Sequence, residues 1–328
     1  MDLRLALFEI AATHRLDARA TAQLHRLAGF GDEPLTLSGW LPRAMAIVAA
    51  ALGGLGLIFW LAANWDTLGR FGRFALLEAC VLVTCVAALW RVALSVPAGL
   101  LAFLSIGGLF AYFGQTYQTG ADPWQLFALW AALAIPLCLG VRSDVLWAPW
   151  ALVVVGAISL WVHAHTGHRW RVEPDDMQAY LLAWVAAFVL AAILSEPVRR
   201  FTGAGVWALR TALTLSVVMI TLTSLGELFR FDDRTLILYS IGIGVLAAGA
   251  VGLALPKTFD VYGLSVAALG INTLVIAGLA RMLFKSHHAG DPIGQLLLLG
   301  IAAAGLLAAS VSGVLRISRR RGSPGRAS

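Results

Sequence analysis

"AMAIVAAALGGLGLIFWLAANWD", residues 44–66, carries no charge before its final aspartate. A helix rising 1.5 Å per residue over 44–64 crosses the roughly 30 Å hydrocarbon core of a bilayer, so the stretch reads as a membrane span. The switch to Asn64, Trp65 and Asp66 marks where the chain leaves the apolar layer, with Trp65 at headgroup level. Gly69 and Gly72 then permit a tight reversal, and Arg70 and Arg73 anchor the next span.

The rest of the chain follows this pattern. Hydrophobic residues make up 59% and charged residues 13%, with a mean hydropathy of +0.81. That leaves too little polar surface for a soluble globule of 328 residues. Ten apolar windows are expected as spans: 44–64, 72–94, 96–114, 123–141, 145–163, 177–195, 204–225, 235–255, 261–284 and 292–316. The runs are continuous rather than alternating, which excludes a closed barrel. The expected fold class is all-α, a polytopic transmembrane helical bundle over 44–316. A short cytoplasmic amphipathic hairpin precedes it at 1–43, and a basic tail follows at 317–328.

The hairpin is read from "MDLRLALFEIAATHRLDARATAQLHRLAGF", where charges mix with Leu and Ala at helical spacing. Asp17 suits the N-cap of the second helix, because its carboxylate accepts from the free amides of a first turn; Gly29 suits the stop. No uninterrupted apolar core or small-residue cleavage site marks a signal peptide.

With both termini in the cytoplasm, Arg142, Arg199, Arg200, Arg210, Lys257 and the tail "RISRRRGSPGRAS" all fall on the inner side, as the positive-inside rule requires. The formal charge of +6 resides at span ends and in this tail, without aromatic interleaving or a recognition motif, so nucleic acid is not an expected partner. Cys80, Cys85 and Cys138 lie within spans as small hydrophobes.

One polar group of residues stands out. Asn64, Asp66, Glu78, Tyr112 and Gln115 fall at similar depths near the outer face and are expected to line a polar pocket between spans one, two and three. Tyr112, Gln115 and Thr116 share a helical face. Glu78 lies inside a span, where a carboxylate costs about 3 kcal/mol or more unless protonated, paired or wetted. The histidines of "HAHTGH", His163, His165 and His168, together with His287 and His288, are read as loop residues and are weak metal candidates, since no cysteine or carboxylate fixes a coordination geometry. No metal or other cofactor is expected. Searches for HExxH, GxSxG and GxxxxGK[ST] find nothing, and no span carries paired carboxylates, so an enzyme is not the favoured reading.

Small residues recur every fourth position as Ala183, Ala187, Ala191 and Ser195, as Gly244, Ala248 and Gly252, and as Gly300, Ala304, Ala308 and Ser312. Each row is expected to be a contact inside the bundle, because close helix approach in lipid needs small residues on one face. An offset of about 116 residues also aligns 96–200 with 212–316, with Asp144-Val145 falling on Asp260-Val261, and suggests a parallel duplication of four spans.

"LAANWD", then "GRFGR", then "GQTYQTGADPWQLFALWAALAIPLCLGVRSDVLW" after the third span resemble the bacterial predicted-membrane-protein family named domain of unknown function 2157. The likeness runs from Met1 to about His165. It implies a bacterial inner-membrane protein and carries over no activity. The expected function is a structural or accessory subunit of an envelope complex, with lipid and other membrane proteins as partners. The alternatives are a transporter of a small or lipidic solute using the outer-face pocket, and a membrane-embedded enzyme.

Overall fold

A computed structural model describes residues 3–14, 16–28, 35–64, 69–117, 120, 122–167, 172–229, 236–255, 258–285 and 292–321. These residues are helical, with no strand among them. The order begins with α1 (Leu3–Thr13) and α2 (Ala18–Leu27), followed by the long α3 (Leu35–Ala63), α4 (Arg70–Trp90), α5 (Ser95–Tyr117), α6 (Pro123–Val141) and α7 (Asp144–His165). The second half holds α8 (Met177–Ile193), the short α9 (Arg199–Thr202), α10 (Val206–Leu228), α11 (Ile237–Ala254), α12 (Val261–Lys285) and α13 (Pro292–Arg321).

Among the described residues nine helices are long and apolar enough to cross a membrane. A tenth crossing is completed if α8 and the Glu196–Thr202 segment, bent 54° from it, count as one span. Nine of the ten expected windows thus hold such a helix, the exception being 177–195 in the bent pair; the polytopic helical bundle is found, and the chain is a membrane protein. The terminal pair matches expectation too: the Ala20 amide donates to Asp17 Oδ1 at 2.7 Å, which caps α2. Gly29 lies outside the described residues.

Two boundaries differ from the sequence reading. Helix α3 starts at Leu35 and runs through Pro42. Proline there forfeits only one carbonyl partner near the helix start, and the apolar run beyond it carries the helix on. Helix α7 extends to His165, so His163 and His165 occupy its last turn and not a loop. A basic side chain at a helix C-terminus sits well with the helix dipole, which makes that extension favourable.

The core lies where α7 and α10 pack against each other and against α8, with α5 and α6 on one side and α11 and α12 on the other. Four indoles join these helices by donating to acceptors on other segments. Trp130 Nε1 bonds the Phe103 carbonyl at 3.0 Å, Trp147 Nε1 the Thr202 carbonyl at 3.0 Å, Trp150 Nε1 the Ala131 carbonyl at 2.8 Å and Trp184 Nε1 the Thr223 hydroxyl at 3.1 Å. A buried Trp needs such a partner, and in lipid no water competes for it.

At one end of the core the turn between α6 and α7 clamps the start of α10. Asp144 Oδ2 accepts from the Trp207 amide at 3.0 Å, and Asp144 Oδ1 accepts from the amides of Gly205 and Ala208. These are orphan donors of a helix first turn, satisfied by a residue distant in sequence. Arg142 holds a left-handed conformation (φ 53°) and donates to the Arg200 carbonyl at 2.6 Å. Gly203 (φ +69°) faces it so closely that a Cβ would strike the Arg142 side chain.

Candidate functional site

The residues of the sequence-derived polar group differ in burial and in hydrogen-bond partners. The Asn64 side-chain amide donates back to the Trp60 carbonyl at 2.9 Å. Asp66 lies outside the described residues. Tyr112 is buried, with its ring 4.6 Å from that of Phe74, and its hydroxyl donates to the Arg70 carbonyl at 3.3 Å, which ties α5 to the start of α4. Gln115, one turn further along α5, is exposed. Glu78 is exposed as well, in line with Phe71, Ala75, Leu82 and Val86, while its neighbour Leu77 is fully buried against α5. Tyr112 thus belongs to the α4–α5 contact, and Glu78 and Gln115 to the outer surface.

A more enclosed polar site lies between α7, α8 and α10, at the end where α7 finishes and α8 begins. It is a cavity of about 210 Å³ lined by Ser159, His163, Thr166, Tyr180 and Thr223, with Val172, Met219 and Leu222 as apolar walls. Tyr180 and Thr166 are both buried and their side chains hydrogen-bond each other. Thr223 Oγ1 accepts from Trp184 Nε1 and donates to the Met219 carbonyl at 2.9 Å. Beside the cavity, at the entry to α8, stand Glu173, Asp175 and Asp176. Partial burial, followed by the charges of Glu173 and Asp175, raises the Asp176 carboxyl above its ordinary range.

Of the histidines weighed as metal candidates, His163 lines this cavity. His165 turns elsewhere: its ring lies 4.5 Å from Trp161 and 6.4 Å from Trp124, and its Nδ1 is 2.8 Å from the Trp161 carbonyl. His168, His287 and His288 lie outside the described residues. Among the described residues no three His, Cys, Asp or Glu side chains gather closely enough to hold a metal.

Sequence reasoning passed over Glu227. It is buried in the last turn of α10, and its Oε2 accepts from the Tyr239 amide at 2.6 Å, capping the start of α11. Nearby, Tyr239 donates its hydroxyl to the Leu274 carbonyl at 2.8 Å. The signal was the acid in "SLGELF", two residues past the end of the expected window 204–225. Glu227 thus caps α11 from α10, and Tyr239 carries the link on to α12.

The small-residue rows divide. Ala183, Ala187 and Ala191 are buried, with the Ser216 hydroxyl 3.4 Å from the Ala187 carbonyl, so these three make the expected interior contact, while Ser195 lies past the end of α8 and is half-buried. Gly300, Ala304, Ala308 and Ser312 are all exposed, as are Gly244 and Ala248, and a Cβ added at Gly244, Gly252 or Gly300 would meet nothing within 4 Å. The expectation that these two rows pack inside the bundle is overturned. Helix α11 meets the core through Gly242, where an added Cβ would collide with Ser224. Helix α13 meets α12 on its opposite side, where Asn272 Nδ2 donates to Ser310 Oγ at 2.9 Å.

Residues 9–147 match the family model of predicted membrane proteins DUF2157. The match covers Asn64, Glu78, Tyr112 and Gln115 and stops at Trp147, short of the cavity at Tyr180. No curated protein and no solved structure matches the chain.

Proposed function

We propose that this chain is a subunit of a membrane-protein assembly, with partner helices covering the outer sides of α4, α11 and α13. The observation that carries this reading is Glu78, an acid on the exposed side of a membrane-spanning helix. It lies about 12 Å along α4 from Arg70. A carboxylate turned toward hydrocarbon at that depth costs on the order of 3 kcal/mol, a cost that a donor on a neighbouring chain removes. The exposed rows point the same way. Glycine inside a helix costs about 1 kcal/mol against alanine, and among the described residues nothing packs into the space it leaves at Gly244 or Gly300.

In the same proposal the assembly sits in a bacterial inner membrane with both termini in the cytoplasm, from the basic residues gathered at Arg142, Arg199, Arg200 and the tail. The outer sides of α4 and α13 are then ready for neighbours while the α7–α10 core acts as scaffold. The test is the size of the particle extracted from native membranes in mild detergent. The parent chain is expected in a defined complex larger than itself, and Glu78→Leu combined with Ala304→Leu is expected to release it as a folded, smaller species. A particle of unchanged size for the double variant contradicts the proposal.

A second reading, a transporter of a small solute, is favoured by the cavity at His163, Thr166 and Tyr180, which carries several polar side chains on a mostly apolar wall, is partly enclosed and is set between three core helices. It calls for solute-dependent protection of the cavity: a solute that raises the melting temperature of the parent chain and leaves Tyr180→Phe unmoved supports it, and a screen in which no solute does so removes it.

A further inference from the structure

Helices α6, α7 and α8 enclose a second, larger hollow of about 570 Å³, distinct in chemistry from the cavity at Tyr180. Its floor is small and buried: Ala131, Ala157 and Ala183. Its deep end is closed by Trp150, whose indole N–H is already spent on the Ala131 carbonyl, so that the ring presents only its apolar surface. Its rim at Ile135 and Leu182 is exposed on the outer surface of the bundle, and the hollow therefore opens sideways into the membrane as a groove.

The groove has a definite length and direction. On α6 it runs from Trp124 to Ile135, and on the antiparallel α7 from Trp161 to Trp150. Each stretch is about 16 Å of helix, close to the ~15 Å depth of one leaflet's hydrocarbon. Trp124 and Trp161 meet at the shallow end, joined through the His165 ring, where interfacial aromatics are at home. There the indole N–H of Trp124 is buried and has no acceptor among the described residues. An unmet buried donor is costly, and a turn of the ring, whose N–H is now covered, would offer it to an ester oxygen of a glycerolipid near the interface.

We propose that this groove holds one acyl chain of a membrane phospholipid, with its methyl end against Trp150 and its ester region at Trp124. An aqueous solute finds almost no polar surface along the groove, and a helix about 10–12 Å across with its side chains does not fit a hollow of about 570 Å³ that runs about 16 Å. A single hydrocarbon chain suits the length, the lining and the sideways opening.

The experiment uses the full-length chain in phosphatidylcholine vesicles that contain a trace of phosphatidylcholine with a photoactivatable diazirine on one acyl chain. With the diazirine near the methyl end, label is expected on peptides holding Ile135 and Trp150. With it near the ester, label is expected at Trp124 and Trp161. Both are expected several-fold above the label on the exposed face of α13, which serves as the reference for ordinary surrounding lipid. Ala132→Phe with Ala186→Phe, both on the groove wall and neither fully buried, should cut groove labelling several-fold and leave α13 labelling unchanged. Equal labelling of groove and α13, loss of the depth pattern in the parent chain, or labelling indifferent to the two phenylalanines in a folded variant overturns the proposal. The depth pattern is read in the unaltered chain, so the test stands even if the variant does not fold.

Discussion

Helices α8 and α13 carry the same four-residue rhythm of small side chains and use it in opposite ways. The α8 row is sealed inside: Ala187 is 0% exposed and the α10 backbone and Ser216 press against it. The α13 row faces outward, and no part of the best apolar window of that helix is buried. A row of small residues states that something comes close; it does not state what. Where α7 and α10 flank it, the row serves the fold; where the described residues offer it no neighbour, the proposed assembly is what would cover it.

The largest expected effect probes the sealed row. Ala187→Leu forces extra volume into the α8–α10 contact and should destabilise the chain by about 1–3 kcal/mol, read as a lower denaturation midpoint in detergent. A variant as stable as the parent breaks the contrast between the helices. Next comes the clamp that holds α10 against α7. Asp144→Ala leaves three first-turn amides without their acceptor and should cost about 0.5–2 kcal/mol by the same measurement.

A smaller effect sits at the start of α8. Asp176 makes no side-chain cap bond, and its carboxyl is raised above the ordinary value of 3.8, first by partial burial and then by Glu173 and Asp175. A raised folded value means that the ionised form is disfavoured in the folded state: both states are protonated below the ordinary value, and stability is lost as pH rises through the folded value. Asp176→Asn is therefore expected to melt slightly higher than the parent at neutral pH, with the gain vanishing as pH falls toward 3.8. A constant difference across pH contradicts this. The smallest effect belongs to the outward row: Gly300→Leu with Ala304→Leu should leave the isolated chain no less stable than the parent, since both positions are exposed and a Cβ at Gly300 meets nothing within 4 Å. A marked loss would move α13 back among the interior contacts.

Much of this architecture was legible before any coordinates. Uninterrupted apolar runs such as 44–64 announce spans because lipid tolerates little else, and Asp17 announced its cap because capping is a local matter. The rest was hidden for identifiable reasons. Asp144 caps a helix some sixty residues away, and no local pattern reports such a partner. His163 and His165 were read as loop residues although the helix continues beneath them, because apolarity ends earlier than hydrogen bonding does. Glu78 was correctly singled out as an acid within a span, but the side of α4 on which it lies depends on where α5 packs. The cavity at Tyr180 draws Ser159 from α7, Thr166 from the residue after it and Thr223 from α10, each an unremarkable hydroxyl in its own segment.

The central claim, that the outward row of α13 meets another membrane protein, is tested most directly by photo-crosslinking in native membranes. A photoreactive residue is placed in turn at Gly300, Ala304 and Ala308, and at Leu297 and Leu315 on the same exposed helix for comparison. The account predicts a discrete protein adduct from the three small-residue positions, weaker or absent at the two leucines. Lipid adducts alone at all five positions would contradict it.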